Sequence, residues 1–204
     1  MVEKEAEVAV QITKSLNTKQ KKPRNRSPNK PLTKDQVRKV MLAVVPLRDR
    51  ALLHLGFNTG MRVSEPLTFT QDGVDWGAGT IKIWDEKKNK YREVMPPQET
   101  LALLKTYINE NKPAGKPVFD FDIKTAERIV QRWTTQALGF KRSWHCIRHT
   151  YISLCNEAEQ NIKVVIENTG DSPATILQYY THLTPDYRRK ATEEKPVYSE
   201  KAGN

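Results

Sequence analysis

The sequence predicts a mainly α-helical domain carrying one small antiparallel three-stranded β-sheet, an α+β arrangement. Three observations predict it. Apolar residues recur at helical spacing through most of the chain after residue 31. One window, residues 74–95, instead holds three short β-branched or aromatic runs parted by turn residues. Pro96-Pro97 then closes that window before helical periodicity returns.

Taken in order, the first 30 residues read as a basic arm or linker. Lys14 to Lys30 holds seven bases and no acid, among Pro, Ser and Asn. Residues 1–30 carry eight bases against three acids, or +5, which is half of the formal net charge of +10. Lys19, Lys21, Lys22, Arg24 and Arg26 are the candidates for contact with a polyanion, and composition alone leaves a plain solvated linker equally open.

The folded domain is expected over 31–190. Thr33 with Gln36 forms a capping box for a helix to about Val45. A second helix follows over roughly 47–58, with Leu52, Leu53, Leu55 and Phe57 as its apolar face and Gly60 at its end. The strands are expected at Val74–Trp76, Thr80–Trp84 and Tyr91–Met95. Helices are expected over about 98–110, 123–138, 144–157, 162–168 and 172–180. Residues 191–204 read as a charged, poorly patterned tail.

Composition excludes some functions. No apolar run approaches the roughly 18 residues of a membrane span, and the N-terminus lacks a signal-peptide core. The two cysteines, Cys146 and Cys155, form no C-x-x-C pair and no metal-ligand pattern. The chain shows no phosphate-binding glycine loop and no clustered metal ligands, so neither a cofactor nor a metal is expected. The excess of 34 bases over 24 acids favours a polyanionic partner without choosing among DNA, RNA and an acidic membrane.

Four local patterns carry chemistry. Arg62 follows the helix-ending Gly60 in Thr59-Gly60-Met61-Arg62-Val63-Ser64-Glu65, where a surface pair with Glu65 is the plain alternative. The turn between the second and third strands holds Lys87, Lys88 and Lys90. His145 and Arg148 stand three apart on one helix face in Trp144-His145-Cys146-Ile147-Arg148-His149-Thr150. Tyr179-Tyr180-Thr181-His182 closes the helix that follows Gly170-Asp171-Ser172-Pro173. Each alone is weak, since short motifs often mislead.

Together and in this order they resemble the catalytic domain of the tyrosine recombinases, the phage-type integrases, over about residues 32–185. The resemblance implies that fold, and it implies site-specific cleavage and rejoining of double-stranded DNA through a 3′-phosphotyrosyl intermediate, without metal or cofactor. It implies Arg62 and Arg148 as a phosphate clamp, Lys87 as the hairpin lysine, His145 as base or phosphate donor and Tyr180 as nucleophile. Lys88 and Lys90 stay open as alternatives to Lys87. Tyr180 is preferred to Tyr179 by the nine-residue step from Asp171 and by the Tyr-Thr-His that follows.

It further implies assembly on DNA as dimer to tetramer, and a cytoplasmic, nucleoid-associated location. One position departs from the family pattern. Asp171 stands where the family has His or Trp: either Asp171 or Ser172 caps the helix that begins at Pro173, or Asp171 is a charge opposing the phosphate, with His182 as its substitute. A second departure is length: about 30 residues precede the domain, too few for the family's N-terminal DNA-binding module, so a fragment or a short protein is expected. The competing readings are a weak or inactive DNA-binding module lacking that clamp, and type IB topoisomerase-like relaxation.

The chemistry suits these residue types. Two guanidiniums offer permanent, planar donors to the oxygens of an attacked phosphodiester. A tyrosine oxygen can hold the phosphoryl group covalently, given a base or cations to draw down its pKa of about 10. An ammonium on a hairpin can protonate the leaving 5′-oxygen.

Overall fold

A computed structural model describes residues 30–111, 113, 115–180, 189, 192 and 193. The basic arm with Lys19, Lys21, Lys22, Arg24 and Arg26, and His182 in the tail, lie outside the described residues. Helix α1 spans Lys34–Ala43 and α2 spans Leu47–Thr59. The sheet follows as β1 (Val74–Asp75), β2 (Thr80–Asp85) and β3 (Lys90–Val94). Then come α3 (Gln98–Asn111), α4 (Ile123–Leu138), α5 (Trp144–Glu157), α6 (Ile162–Thr169) and α7 (Pro173–Leu177), with a 3₁₀ turn at Gln178–Tyr180. The predicted α+β class is observed.

Both halves of the expected capping box form at α1: the Gln36 amide donates to the Thr33 hydroxyl at 3.3 Å and the Thr33 amide to Gln36 Oε1 at 3.0 Å. The helix stops at Ala43 rather than Val45, because Pro46 pushes the preceding backbone toward extended conformations.

Helix α2 is buried nearly all round. Leu52, Leu53 and Leu55 are each at most 1% exposed, and burying such a side chain stabilises by about 1.5–3 kcal/mol. Gly56 lets α5 close in, since a Cβ there would stand 3.0 Å from the Trp144 ring. The Trp144 indole N–H then donates to the Met61 carbonyl at 2.8 Å, locking α5 to the segment after α2. Gly60 ends α2 with φ +63, and a Cβ at that position would collide with the Tyr151 ring.

The sheet runs β1-β2-β3, both pairs antiparallel, with Ile81 opposite Val94 and Asp85 opposite Lys90. Strand β1 ends one residue before Trp76. The Asp75 carboxylate turns back to accept from the Gly77 and Ala78 amides at 2.9 and 2.8 Å, which makes a turn of it. Ile81 and Ile83 point into the core and Lys82 points out, so one face of the sheet is buried.

The last predicted helix is shorter than expected. Regular α geometry ends at Leu177, and the chain tightens into the 3₁₀ turn. There the Tyr179 carbonyl accepts from Asn156 Nδ2 on α5 at 3.3 Å. Tyr151, Ile152, Cys155, Val165 and Ile176 form a second small core under this end of the chain. Both cysteines are buried free thiols. None of the described helices is long and apolar enough to cross a membrane.

Candidate active site

The site forms where three helices meet: the C-terminus of α2, the C-terminus of α6 and the N-terminal half of α5. Arg148 sits on the second turn of α5 and is buried, with its side chain 6% exposed. Its Nη1 donates to the Gly60 carbonyl at 2.6 Å and its Nη2 to the Thr169 carbonyl at 2.8 Å. One guanidinium thus closes the C-terminal ends of two helices, where the helix dipoles favour a cation.

Arg62 lies two residues beyond Gly60. Its Nη1 reaches Glu65 at 3.1 Å and Asp85 at 3.3 Å, while its backbone amide donates to the other Glu65 oxygen at 2.6 Å. The expected pair with Glu65 therefore exists, yet it is buried: Glu65 is 1% exposed and Asp85 fully buried. These carboxylates serve a second arginine. Arg92 on β3 donates from Nη2 to Glu65 at 2.7 Å and from Nη1 to the carbonyls of Glu167 and Asn168 at 3.0 and 2.7 Å. Arg92 thereby ties the sheet to the end of α6. It fits closely there, since a Cβ on Gly170 would lie 2.8 Å from its Nε.

Asp171 joins the two halves. Its Oδ1 accepts from Arg62 Nη2 at 2.9 Å and its Oδ2 from Arg148 Nη2 at 2.6 Å. Of the two expected candidates for the α7 cap, Asp171 and Ser172, the structure uses Ser172. Ser172 alone caps, accepting from the Thr175 amide at 3.2 Å, and Asp171 faces the arginines. A small hydroxyl one residue nearer the helix suffices for the cap, so the carboxylate takes the stronger charge-assisted partners. Burial pushes the Asp171 carboxyl up, but the hydrogen bond and charge of Arg148, joined by Arg62, outweigh it and hold the group below its ordinary 3.8.

A consequence for stability follows from the sign of that shift. A carboxylate held below its unfolded value contributes fully above that value, and the contribution disappears as pH falls through the folded one. The difference in urea midpoint between the unsubstituted chain and Asp171→Asn is expected to be constant from neutral pH to the ordinary carboxylate range. It then shrinks to zero on further acidification. A difference unchanged in acid would refute the pairing as its cause.

Around this base opens a cleft of about 420 Å³. Arg62, Arg148 and Asp171 line its floor, and Lys87, His145 and His149 line it as well. Lys88 and Lys90, on the same exposed hairpin, do not. His145 is exposed on the first turn of α5 and stacks obliquely on His149, ring centroids 4.1 Å apart. His149 Nε2 in turn meets the Tyr179 hydroxyl at 2.9 Å. Burial, with the charges of His145 and Arg148, holds the His149 imidazole below its ordinary value. Burial and the Asp171 charge push the Tyr179 phenol up against the pull of Arg148. Glu127 of α4 closes one side and accepts from the Trp144 amide at 3.0 Å, steadying the start of α5. Tyr180 ends the 3₁₀ turn beside Tyr179.

Of the predicted residues, Arg62, Arg148, His145, Lys87 and Asp171 are therefore brought to one cleft. Sequence reasoning did not find Arg92, Asp85 or His149 as parts of it. His149 stood inside a motif already quoted. Arg92 and Asp85 gave no local signal, because their partners are 75 and 23 residues away. Among the described residues no three His, Cys, Asp or Glu side chains cluster as a metal would require.

The same region carries the similarity to known proteins. A sequence model described as the phage integrase family matches residues 30–186. The tyrosine recombinase XerA of Pyrococcus furiosus is 27% identical over 176 residues, covering 80% of this chain and 61% of the relative. The tyrosine recombinase XerC of Xylella fastidiosa is 30% identical over 152 residues, covering 71% and 51%. The chain thus spans between about half and two thirds of the length of these relatives. The crystal structure of XerA recombinase superposes with a TM-score of 0.68 at 24% identity, covering 82% of this chain and 66% of that one. A structure of XerH bound to its difH substrate before cleavage also gives 0.68, at 22% identity, with 80% and 53% covered. At these identities the structural likeness speaks for the fold.

Proposed function

The chain belongs to the phage integrase family, and from that premise we propose that it is the catalytic domain of a tyrosine recombinase, acting on double-stranded DNA by cleavage and rejoining. The observation that carries the reading is the meeting of Arg62 and Arg148 at one anion-sized point, with Lys87, His145 and a tyrosine-bearing turn on the same cleft. That arrangement stabilises charge on phosphate oxygens better in the attacked form than in the resting one.

In the proposed reaction the Tyr180 phenol oxygen attacks the phosphorus. The phenol proton passes to His145, with the His149 ring stacked behind it. A new phosphorus–oxygen bond forms to the tyrosine, the bond to the 5′-oxygen breaks, and Lys87 gives that oxygen its proton. The 3′-phosphotyrosyl bond keeps the energy of the broken one. Attack by a partner strand's 5′-hydroxyl reverses the step and frees the tyrosine. The side chains of this chain supply all these roles without metal or cofactor.

The basic arm, through Lys19, Lys21, Lys22, Arg24 and Arg26, would add salt-sensitive phosphate contacts. Pairing of strands calls for two to four copies on DNA. A nucleoid-associated, cytoplasmic setting follows from such a substrate.

A second reading has its own observation: the Asp171 carboxylate opposes a phosphate at the arginines, which favours a weak or inactive DNA-binding module. A nicked duplex whose short leaving strand diffuses away separates the two. The expected result is a protein–DNA adduct that survives SDS. Its absence under low-salt conditions, where DNA is bound, would favour the binding module. Relaxed plasmid without recombinant product would favour topoisomerase-like relaxation.

A further inference from the structure

Counting hydrogen-bond donors at the two arginines leads to a specific role for Asp171. A guanidinium has five N–H groups, four of them terminal. At Arg62 the terminal nitrogens already serve Glu65, Asp85, the Gly170 carbonyl and Asp171. Arg62 therefore has no terminal donor for a phosphate unless one of these contacts opens.

The contacts differ in how readily they open. Glu65 is held by the Arg62 amide, Arg62 Nη1 and Arg92, and Asp85 lies fully buried at the end of β2. The Gly170 carbonyl is only weakly engaged, at 3.5 Å. Asp171 is the outermost of the three carboxylates, with 16% of its side chain exposed against 1% for Glu65 and none for Asp85. It lies in the short segment between α6 and α7, next to the left-handed Gly170.

Its carboxylate also has a particular shape in this place. Two oxygens on one central atom take one donor from each arginine, at 2.9 and 2.6 Å. Two non-bridging oxygens of a phosphodiester would make the same demand on the same two donors. Charge gives the same account. Arg62, Arg92 and Arg148 balance Glu65, Asp85 and Asp171, three against three, so the base of the cleft is neutral while Asp171 is in place. Swinging Asp171 away leaves one unbalanced positive charge facing the cleft.

We propose that Asp171 is an internal anion seated in the place of the scissile phosphate, which a DNA phosphate must displace before the arginines can engage it. This rests on the recombinase reading for the identity of the displacing group. The seat costs binding energy against any small anion. A phosphate delivered by a long DNA duplex can meet that cost through contacts elsewhere, so the device confines the engaged state to fully bound DNA.

Sulfate is the probe, because it is a tetrahedral oxyanion with no DNA contacts of its own. Its affinity for the full chain is measured by calorimetry in dilute chloride buffer at neutral pH. The unsubstituted protein and Asp171→Glu are expected to bind weakly. Asp171→Asn and Asp171→Ser are expected to bind at least about tenfold more tightly, as loss of a like charge beside a part-buried anion implies. Adding Arg62→Gln to either neutral variant is expected to remove the gain.

Equal affinity in charged and neutral variants would overturn the proposal. So would loss of the folded thermal transition in both neutral variants, which would make Asp171 a structural tie. The adduct assay on the unsubstituted chain is scored apart. Tighter sulfate binding with no adduct leaves the displaced anion standing and removes the recombinase reading. An adduct without tighter binding does the reverse.

Discussion

Tyr180→Phe is expected to abolish the SDS-resistant DNA adduct, and Tyr179→Phe to leave it in place. The two phenols are neighbours in the chain, and Tyr179 lines the cleft. Its raised pKa counts against it as the nucleophile. Its hydroxyl is engaged with His149 Nε2 at 2.9 Å, and burial together with the Asp171 charge pushes its pKa up. A phenol made harder to ionise is a poorer nucleophile at neutral pH.

By the resemblance to the family pattern, the nine-residue step from Asp171 and the following Thr181-His182 point to Tyr180 as the proposed nucleophile. Tyr179 then holds the 3₁₀ turn against α5, through His149 and through its carbonyl on Asn156. Tyr179→Phe keeps the ring and the backbone contact and loses one hydrogen bond, worth about 0.5–1.5 kcal/mol. A modest slowing is expected. If instead Tyr179→Phe alone removes the adduct, the nucleophile has been assigned to the wrong residue. The assay is a denaturing gel on the nicked duplex, with DNA binding measured alongside so that loss of adduct is not loss of affinity.

The legibility of this site in the sequence divides along a physical line. Features fixed by neighbours in the chain could be read. The capping box at Thr33 and Gln36, the stop at Gly60 and the start of α5 at Trp144 depend on residues a few positions apart. Where local rules compete, the reading slipped by one or two residues. Pro46 cut α1 short, and the Asp75 carboxylate, accepting from the Gly77 and Ala78 amides, turned the chain before Trp76 could extend β1.

The charged network was legible only in part. Arg62 and Arg148 stand in motifs, so their types and spacing announce them. Arg92 and Asp85 are the other half of the same device, and they look like ordinary members of a hairpin. What defines them is burial against chain ends far away in sequence. Asp171 shows the limit most clearly. Cap propensity and charge repulsion were both sound physical arguments, and only the three-dimensional placement decides between them: a serine one residue on was free to take the cap.

Arg148 is expected to be the costliest cationic position to alter, in stability as well as in chemistry. Its guanidinium is 6% exposed and meets two helix-terminal carbonyls and one carboxylate, all within 2.8 Å. Arg148→Ala leaves the Gly60 and Thr169 carbonyls without that donor and leaves Asp171 with Arg62 alone. Breaking a buried pair by removing one partner typically costs about 3–5 kcal/mol. A loss of that size is a large share of the stability of a domain this long, commonly about 5–15 kcal/mol.

Arg148→Lys tests the geometry rather than the charge. An ammonium is a single point with three donors and cannot lie in one plane between two carbonyls and a carboxylate. The lysine variant is therefore expected to fold, with a lower melting temperature, and to form adduct about 10²–10³-fold more slowly, the loss usual when one preorganised donor to a transition-state oxygen is removed. The checks are thermal denaturation and single-turnover adduct formation at saturating DNA. Near-normal adduct formation by Arg148→Lys would mean that charge alone suffices. The planar fork would then be a device for joining α2 to α6, and the phosphate would depend on Arg62 for its directional contacts.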